Sequence, residues 1–94
     1  MIFTSVRTPG DNGYTEMAQR MENLARQKSG FLGIESVRTD LGITISYWKS
    51  VEDIITWKKD SEHLEAQRKG KSDWYAQYTV RICRVEREYK MNIW

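Results

Sequence analysis

The sequence predicts an α+β fold in which two helices cover one face of a four-stranded antiparallel sheet. Segments with apolar residues at every second position and segments with apolar residues three and four apart follow one another in the order β-α-β-β-α-β. A short turn at Asp40-Leu41-Gly42 joins the second and third strands, which makes them an antiparallel hairpin. This order of elements is that of the ferredoxin-like split βαβ arrangement.

The first half of the chain supplies a strand and a helix. Residues Ile2 to Thr8 alternate in polarity, and the turn-forming run Pro9-Gly10-Asp11-Asn12-Gly13 ends the strand. From Tyr14 onward the apolar residues are spaced by three and four, and Ser29-Gly30 ends this pattern. We therefore expect an amphipathic helix from Tyr14 to about Ser29.

The second half contains the hairpin, the second helix and the last strand. Strands are predicted over Phe31 to Thr39 and Ile43 to Trp48, and Ser50 with Asp53 forms a capping box for the helix that follows. Poor helix formers and good caps near Asp60 predict a break there, with a further helical segment running to Gly70. The last and longest strand is predicted over Tyr78 to Val85.

Composition limits the classes of function. The 94 residues allow one domain, residues 1–94, and 15 basic against 13 acidic side chains give a net charge of only +2, without a broad field for nucleic acid. Cys83 is the single cysteine, so no intramolecular disulfide can form. No apolar run approaches the roughly 18–20 residues of a membrane span. We expect a cytoplasmic protein that binds neither nucleic acid nor membrane.

Apolar side chains are predicted on both faces of the sheet. On the third strand Ile43, Ile45 and Tyr47 point to one face of the sheet and Trp48 points to the other. The last strand also has apolar residues that point to both faces. Because two helices can cover only one face, the second face is expected to pack against a second copy of the chain. We therefore expect a homodimer that forms through this face.

The segment YWKSVEDIITW, residues 47 to 57, together with Ser61-Glu62-His63 and the closing run Arg81 to Glu86, resembles antibiotic biosynthesis monooxygenase (ABM) domains. The resemblance covers nearly the whole chain. It implies a dimeric α+β barrel with a pocket between the helices and the sheet of each subunit. Members of that family include cofactor-free oxygenases of polyketide-like aromatics, haem-degrading monooxygenases and proteins without known activity.

The haem-degrading branch fits the sequence poorly. Trp57 falls where that branch has its haem-distorting tryptophan, but Gln67 stands where its axial histidine would lie, and Val6 stands near its strand-one asparagine. The prediction is therefore that no cofactor and no metal is needed, with haem degradation as a less favoured alternative.

Seven residues are candidates for the site. Trp57 and His63 are the catalytic candidates: Trp57 as a pocket wall, and His63, the only histidine, either as a general base for a phenol or enol or as a surface residue. The substrate-binding candidates are Tyr47, Gln67, Trp74, Tyr75 and Arg81. A helix break at Asp60 would bring His63 to the cavity that Trp57 lines, with Tyr47 and Arg81 as its floor.

Two classes of function follow from the sequence. The first is a small oxygenase acting on an aromatic or polyketide-like small molecule, because a deprotonated, electron-rich substrate can pass an electron to dioxygen without a cofactor. The second is a non-catalytic ligand-binding or stress-related dimer of the same fold.

The last strand, YTVRICRVE, lacks the aromatic and glycine pattern with which RNA-recognition motifs of this topology bind RNA.

Overall fold

The computed structural model describes residues 1–66 and 74–92. The elements are β1 (Ile2–Arg7), α1 (Tyr14–Arg26), β2 (Phe31–Arg38), β3 (Gly42–Trp48), α2 (Val51–Ala66) and β4 (Tyr75–Arg81). The predicted α+β class and the order β-α-β-β-α-β are confirmed. Helix α1 ends three residues earlier than predicted, because the backbone amides of Gln27 and Lys28 bond to carbonyls three residues back and tighten the last turn.

The four strands form one antiparallel sheet in the order β2-β3-β1-β4. The predicted hairpin is confirmed, since β2 pairs with β3 from Arg38↔Gly42 towards Phe31↔Trp48. A register shift between Phe31 and Gly33 leaves Leu32 exposed and lets Phe31 contact Trp48 edge to face. The first and last strands of the chain therefore lie side by side at one half of the sheet.

The two faces of the sheet carry different side chains. The face towards the helices carries Phe3, Ser5, Ile34, Ser36, Thr44, Ser46 and Val80, and the opposite face carries Ile2, Thr4, Val37, Ile43, Ile45 and Tyr47. Among the residues that the structure describes, five apolar residues are buried, namely Met17, Ala25, Ile54, Trp57 and Trp74. The more aliphatic face is thus the one without helices.

Helix α1 begins in a tightly bonded turn. The carboxylate of Asp11 accepts hydrogen bonds from the backbone amides of Gly13 and Thr15 and from the Thr15 hydroxyl. These bonds satisfy amides at the helix start that have no partner within the helix. The Thr15 hydroxyl is the main reason that the pKa of Asp11 lies below its ordinary value.

Helix α2 runs without interruption from Val51 to Ala66, so the predicted break near Asp60 is wrong. The capping box is confirmed, since the Ser50 hydroxyl accepts from the Asp53 amide and donates to the Asp53 carboxylate. The poor helix formers are accommodated because Ser61 is buried and donates to the Lys58 carbonyl within the helix, while Asp60 pairs with Lys28 at 2.5 Å. The predicted segment beyond Ala66 to Gly70 lies outside the described residues.

Strand β4 begins and ends earlier than the predicted Tyr78 to Val85. The prediction that it is the longest strand is wrong, because β4 has seven residues and β2 has eight. Pairing with β1 starts at Arg7↔Tyr75 and stops at Ile2↔Arg81, where β1 itself begins. Residues 82–92 therefore pair with no strand among the described residues, and Val85, Tyr89 and Met91 are exposed there. Within the described ranges, neither helix has the length and apolarity that a membrane crossing requires.

Candidate functional site

A cavity of about 220 Å³ lies between the two helices and the helix-side face of the sheet. Helix α1 contributes Tyr14, Ala18, Met21, Glu22 and Ala25, helix α2 contributes Trp57, Lys58, Ser61 and Glu62, and the strands with the chain start contribute Met1, Phe3, Ile34, Ser36, Thr44, Ser46, Tyr75 and Val80. Every element of the fold therefore adds at least one wall residue.

Aromatic rings form one side of this cavity. Tyr75 packs edge to face against Phe3, with ring centroids 5.2 Å apart, and against Tyr14 at 5.9 Å. Tyr78 stacks on Phe3 at 5.4 Å on the adjoining strand. Such mutually packed rings hold one another in place and present flat apolar surface, which suits a planar aromatic ligand.

Helix α2 forms the opposite wall. Trp57 is 8% exposed and stacks on Trp48 of β3, so its ring is held against the end of the sheet. Lys58, the next residue, pairs with Glu62 one turn further along the helix at 2.5 Å, and both side chains line the cavity. This wall therefore combines an indole with a carboxylate and an ammonium group.

The floor of the cavity is made of small polar residues. Ser36 and Thr44 are paired on β2 and β3, and Ser46 follows on the same face. Large aliphatic residues at these positions would fill the space under the helices. Small hydroxyl side chains leave room for a ligand and offer both hydrogen-bond donors and acceptors to it.

Two of the predicted site residues, Trp57 and Tyr75, line this cavity. Trp74 is buried just outside it, where its indole nitrogen donates to the carbonyl of Asn12. Trp74 borders a smaller cleft of about 140 Å³ with Asn12, Gly13, Glu16, Met17 and Arg20. The predicted tryptophan and tyrosine pair is thus divided between two neighbouring spaces.

Three predicted residues stand away from the cavity. His63 is exposed, because on an unbroken helix it lies about 120° round from Trp57. Tyr47 and Arg81 lie on the opposite face of the sheet, so the prediction that they form the cavity floor is wrong. Gln67 lies outside the described residues. Any ligand contact of these four side chains stays a prediction.

Tyr47 instead interacts with residues around the face that lacks helices. Its pKa is raised above the ordinary value, chiefly because its hydroxyl is hydrogen-bonded to Glu35, then by partial desolvation, and then by the charges of Glu35 and Glu88. Tyr47 is therefore a residue of the second face.

Sequence reasoning missed the floor residues Ser36, Thr44 and Ser46. Their signal was present in strand β3, where Ile43 and Ile45 alternate with Thr44 and Ser46. An alternating strand is ordinarily oriented with its apolar side towards the covering helices. Here the orientation is reversed, and the polar side faces the helices.

The described cavity walls do not fit the haem-degrading branch of the ABM domains. They contain Trp57 but no histidine, and His63 is on the outer side of α2. Within residues 1–66 and 74–92 no group of three or more histidine, cysteine, aspartate or glutamate residues could hold a metal ion.

The chain is an ABM-type domain, since it belongs to the monooxygenase af470-like family, whose model matches residues 7–84. The chain is 48% identical over 90 residues to the uncharacterized protein YqjZ of Bacillus subtilis (strain 168), covering 94% of this chain and 79% of that protein. Its fold is similar to the crystal structure of PA3566 from Pseudomonas aeruginosa, with a TM-score of 0.64, 17% identity and 83% of each chain covered. The ABM resemblance predicted from the sequence is confirmed.

Proposed function

We propose that the protein is a cofactor-independent monooxygenase that oxidises a small aromatic enol in the cavity between its helices and its sheet. The observation that carries this proposal is the composition of the walls: aromatic rings on one side, Trp57 on the other, and a hydroxyl-lined floor below. Membership of the af470-like family supports it, since that family is described as monooxygenase-like.

The size of the cavity favours a small substrate. Pockets for drug-sized ligands usually measure roughly 300–1,000 Å³. The cavity of about 220 Å³ is smaller, so we propose a substrate of one or two fused rings. Its flat rings would pack between Trp57 and the pair Phe3 and Tyr75, and its oxygen atoms would bond to Ser36, Thr44 or Ser46.

The proposed reaction needs no external reductant. Removal of a proton from the substrate gives an enolate, which passes electrons to dioxygen and forms a carbon–oxygen bond. A CH₂ group of the keto tautomer loses both hydrogens and becomes C=O, and the second oxygen atom leaves as water. The substrate supplies all four electrons that reduce dioxygen, two for the oxygen atom retained as C=O and two for the oxygen atom released as water.

Glu62 is our proposed proton acceptor. Its side chain lines the cavity one turn after Lys58, and the Lys58 ammonium group paired with it can stabilise negative charge on the substrate. His63, the general base predicted from the sequence, is the neighbouring residue but is exposed. The two assignments predict different losses of rate for Glu62→Gln and His63→Ala.

Turnover of naphthoresorcinol in labelled dioxygen tests the proposal. This two-ring enol would become the hydroxyquinone lawsone, with one labelled oxygen retained and one labelled water formed. We expect lawsone to form faster than in buffer alone and this excess to be lost in Trp57→Ala. Binding of naphthoresorcinol without lawsone formation above the rate in buffer would contradict the proposed monooxygenase activity and favour the non-catalytic ligand-binding dimer.

We also propose that the chain forms a homodimer through the sheet face that lacks helices. One row across all four strands of this face reads Glu35, Ile45, Ile2 and Arg81. A two-fold axis that runs parallel to the strands, between the two sheets and through the centre of the row, would place the isoleucines of two copies together. It would also place Glu35 of each copy opposite Arg81 of the other. The row is therefore self-complementary, because its apolar centre meets the same apolar centre and its oppositely charged ends meet each other.

A further inference from the structure

The helix-side row of β2 continues past the cavity floor to an arginine. Ile34 and Ser36 line the cavity, and Arg38 is the next residue of β2 on the same face. Its guanidinium group crosses β3 above Gly42 and reaches β1, where it donates to the carbonyl of Ser5 at 3.4 Å and to the Ser5 hydroxyl. Arg38 thus spans three strands at one end of the cavity.

This position of the guanidinium depends on its two neighbours. A Cβ atom on Gly42 would collide with the guanidinium carbon and nitrogen atoms, so only glycine at position 42 leaves the path across the sheet open. Ser5 is 1% exposed, and its hydroxyl holds the end of the arginine side chain. Gly42 and Ser5 therefore orient the exposed arginine side chain across the sheet.

A second arginine lies at the same end. The guanidinium carbon of Arg7 lies 3.6 Å from the centroid of the Tyr14 ring, and that of Arg38 lies 5.8 Å from the same centroid. Tyr14 is itself a wall residue of the cavity. Arg7 is engaged with backbone carbonyls of Gly10, Asp11 and Trp74, and the Asp11 carboxylate feels its charge.

The charge of Arg38 is not paired in the same way. Among residues 1–66 and 74–92, no carboxylate forms an ion pair with it, and two of its five N–H groups bond to Ser5. The remaining N–H groups can form charge-assisted bonds, for which a planar carboxylate or an enolate oxygen is a matching acceptor.

We propose that Arg38, supported by the positive field of Arg7 behind Tyr14, binds an anionic oxygen group of the ligand at this end of the cavity. The inference rests on the proposed function and narrows its substrate class to acidic aromatics, with the rings over the hydroxyl floor and the anionic group at Arg38. Arg38 acts in this as a specificity-determining residue.

Naphthoate and naphthamide test this proposal, because the two ligands have nearly the same shape and differ in charge. Calorimetric titration of the whole chain should show tighter binding of naphthoate, and Arg38→Gln should reduce that preference about tenfold or more, the scale expected for a hydrogen bond to a charged group. Arg84→Gln, an arginine of the exposed segment after β4, is the matched control and should keep the preference.

The outcomes separate the two proposals. Equal binding of naphthoate and naphthamide, or a preference that survives in Arg38→Gln, would overturn the role of Arg38 while leaving the cavity as the aromatic site. Failure of both ligands to bind would overturn both. If Arg38→Gln does not fold, Arg38→Met replaces it, because this variant removes the charge and keeps a long side chain over Gly42, and an unchanged preference in that variant would also overturn the proposal.

Discussion

Trp48 at the end of β3 and Trp57 in α2 stack with ring centroids 5.6 Å apart and 25° between their planes. This contact joins the second helix to the sheet, and Trp57 also forms a wall of the cavity. The indole nitrogen of Trp48 is buried and has no hydrogen-bond partner among the described groups. The two indoles therefore stabilise the fold mainly through apolar contact.

Removal of the Trp57 ring should lower the free energy of unfolding. Trp57→Ala empties a buried position between sheet and helix, a change that typically costs about 3–5 kcal/mol. Trp57→Phe keeps an aromatic ring against Trp48 and should cost less. Urea unfolding of both variants measures the difference, and an alanine variant as stable as the natural chain would show that the stack contributes little.

The Asp11 turn should make stability depend on pH. Because the folded-state pKa of Asp11 is lowered, its contribution to stability is present above the ordinary aspartate pKa and is lost as the pH falls through the folded value. Asp11→Asn should therefore melt at a lower temperature than the natural chain at neutral pH, with the gap closing in acid. Thr15→Val, which removes the main cause of the shift, should raise the pKa of Asp11 in an NMR titration; an unchanged pKa would contradict this assignment.

Lysine at Ile45 should abolish the proposed dimer. The substitution places a charge at the centre of the row Glu35, Ile45, Ile2 and Arg81. Ile55→Lys is the matched control, because Ile55 is 58% exposed on α2. Sedimentation should give a dimer for the natural chain and for Ile55→Lys, and a monomer for Ile45→Lys. A natural chain that is monomeric at micromolar concentration would contradict the interface.

Charge exchange tests the orientation of the two copies. Glu35→Arg and Arg81→Glu should each weaken the dimer, by roughly two- to tenfold for such exposed pairs, because each places like charges opposite one another. The double variant restores opposite charges and should recover the dimer. Additive weakening in the double variant would show that these residues do not face each other across the two-fold axis.

The element types and their order could be predicted from the sequence because the period of the apolar residues changes clearly between Tyr14 and Trp48. The continuity of α2 could not, since Ser61 has its hydrogen bond to Lys58 only once the helix exists. Nor could the end of β4, because pairing stops where β1 begins.

The site was predicted only at Trp57 and Tyr75. Both faces of the sheet carry apolar side chains, so the alternation alone does not state which face the helices cover. That choice places Thr44 and Ser46 in the cavity and Tyr47 outside it. The proposed role of Arg38 depends on its contacts with Gly42 and Ser5. Ser5 is distant from it in sequence, and a glycine in a hairpin turn gives no sign of such a contact.

Substitution of two adjacent residues should identify the proton acceptor. Glu62→Gln removes a carboxylate from the cavity wall, whereas His63→Ala changes an exposed position of the same helix. We expect lawsone formation to fall about 100-fold or more in Glu62→Gln, the usual scale for loss of a general base, and little in His63→Ala. The reverse order would restore His63 to the catalytic role predicted from the sequence.

The most direct test of the cavity as the binding site is the set of methyl groups that a bound ligand contacts. In a methyl-labelled sample with naphthoresorcinol, we predict intermolecular NMR contacts from the ligand rings to Met21 and Ile34, which line the cavity, and none to Ile43 or Ile45 on the other face. Ligand contacts to Ile43 or Ile45 without contacts to Met21 and Ile34 would place binding on the other face of the sheet and contradict the proposed site.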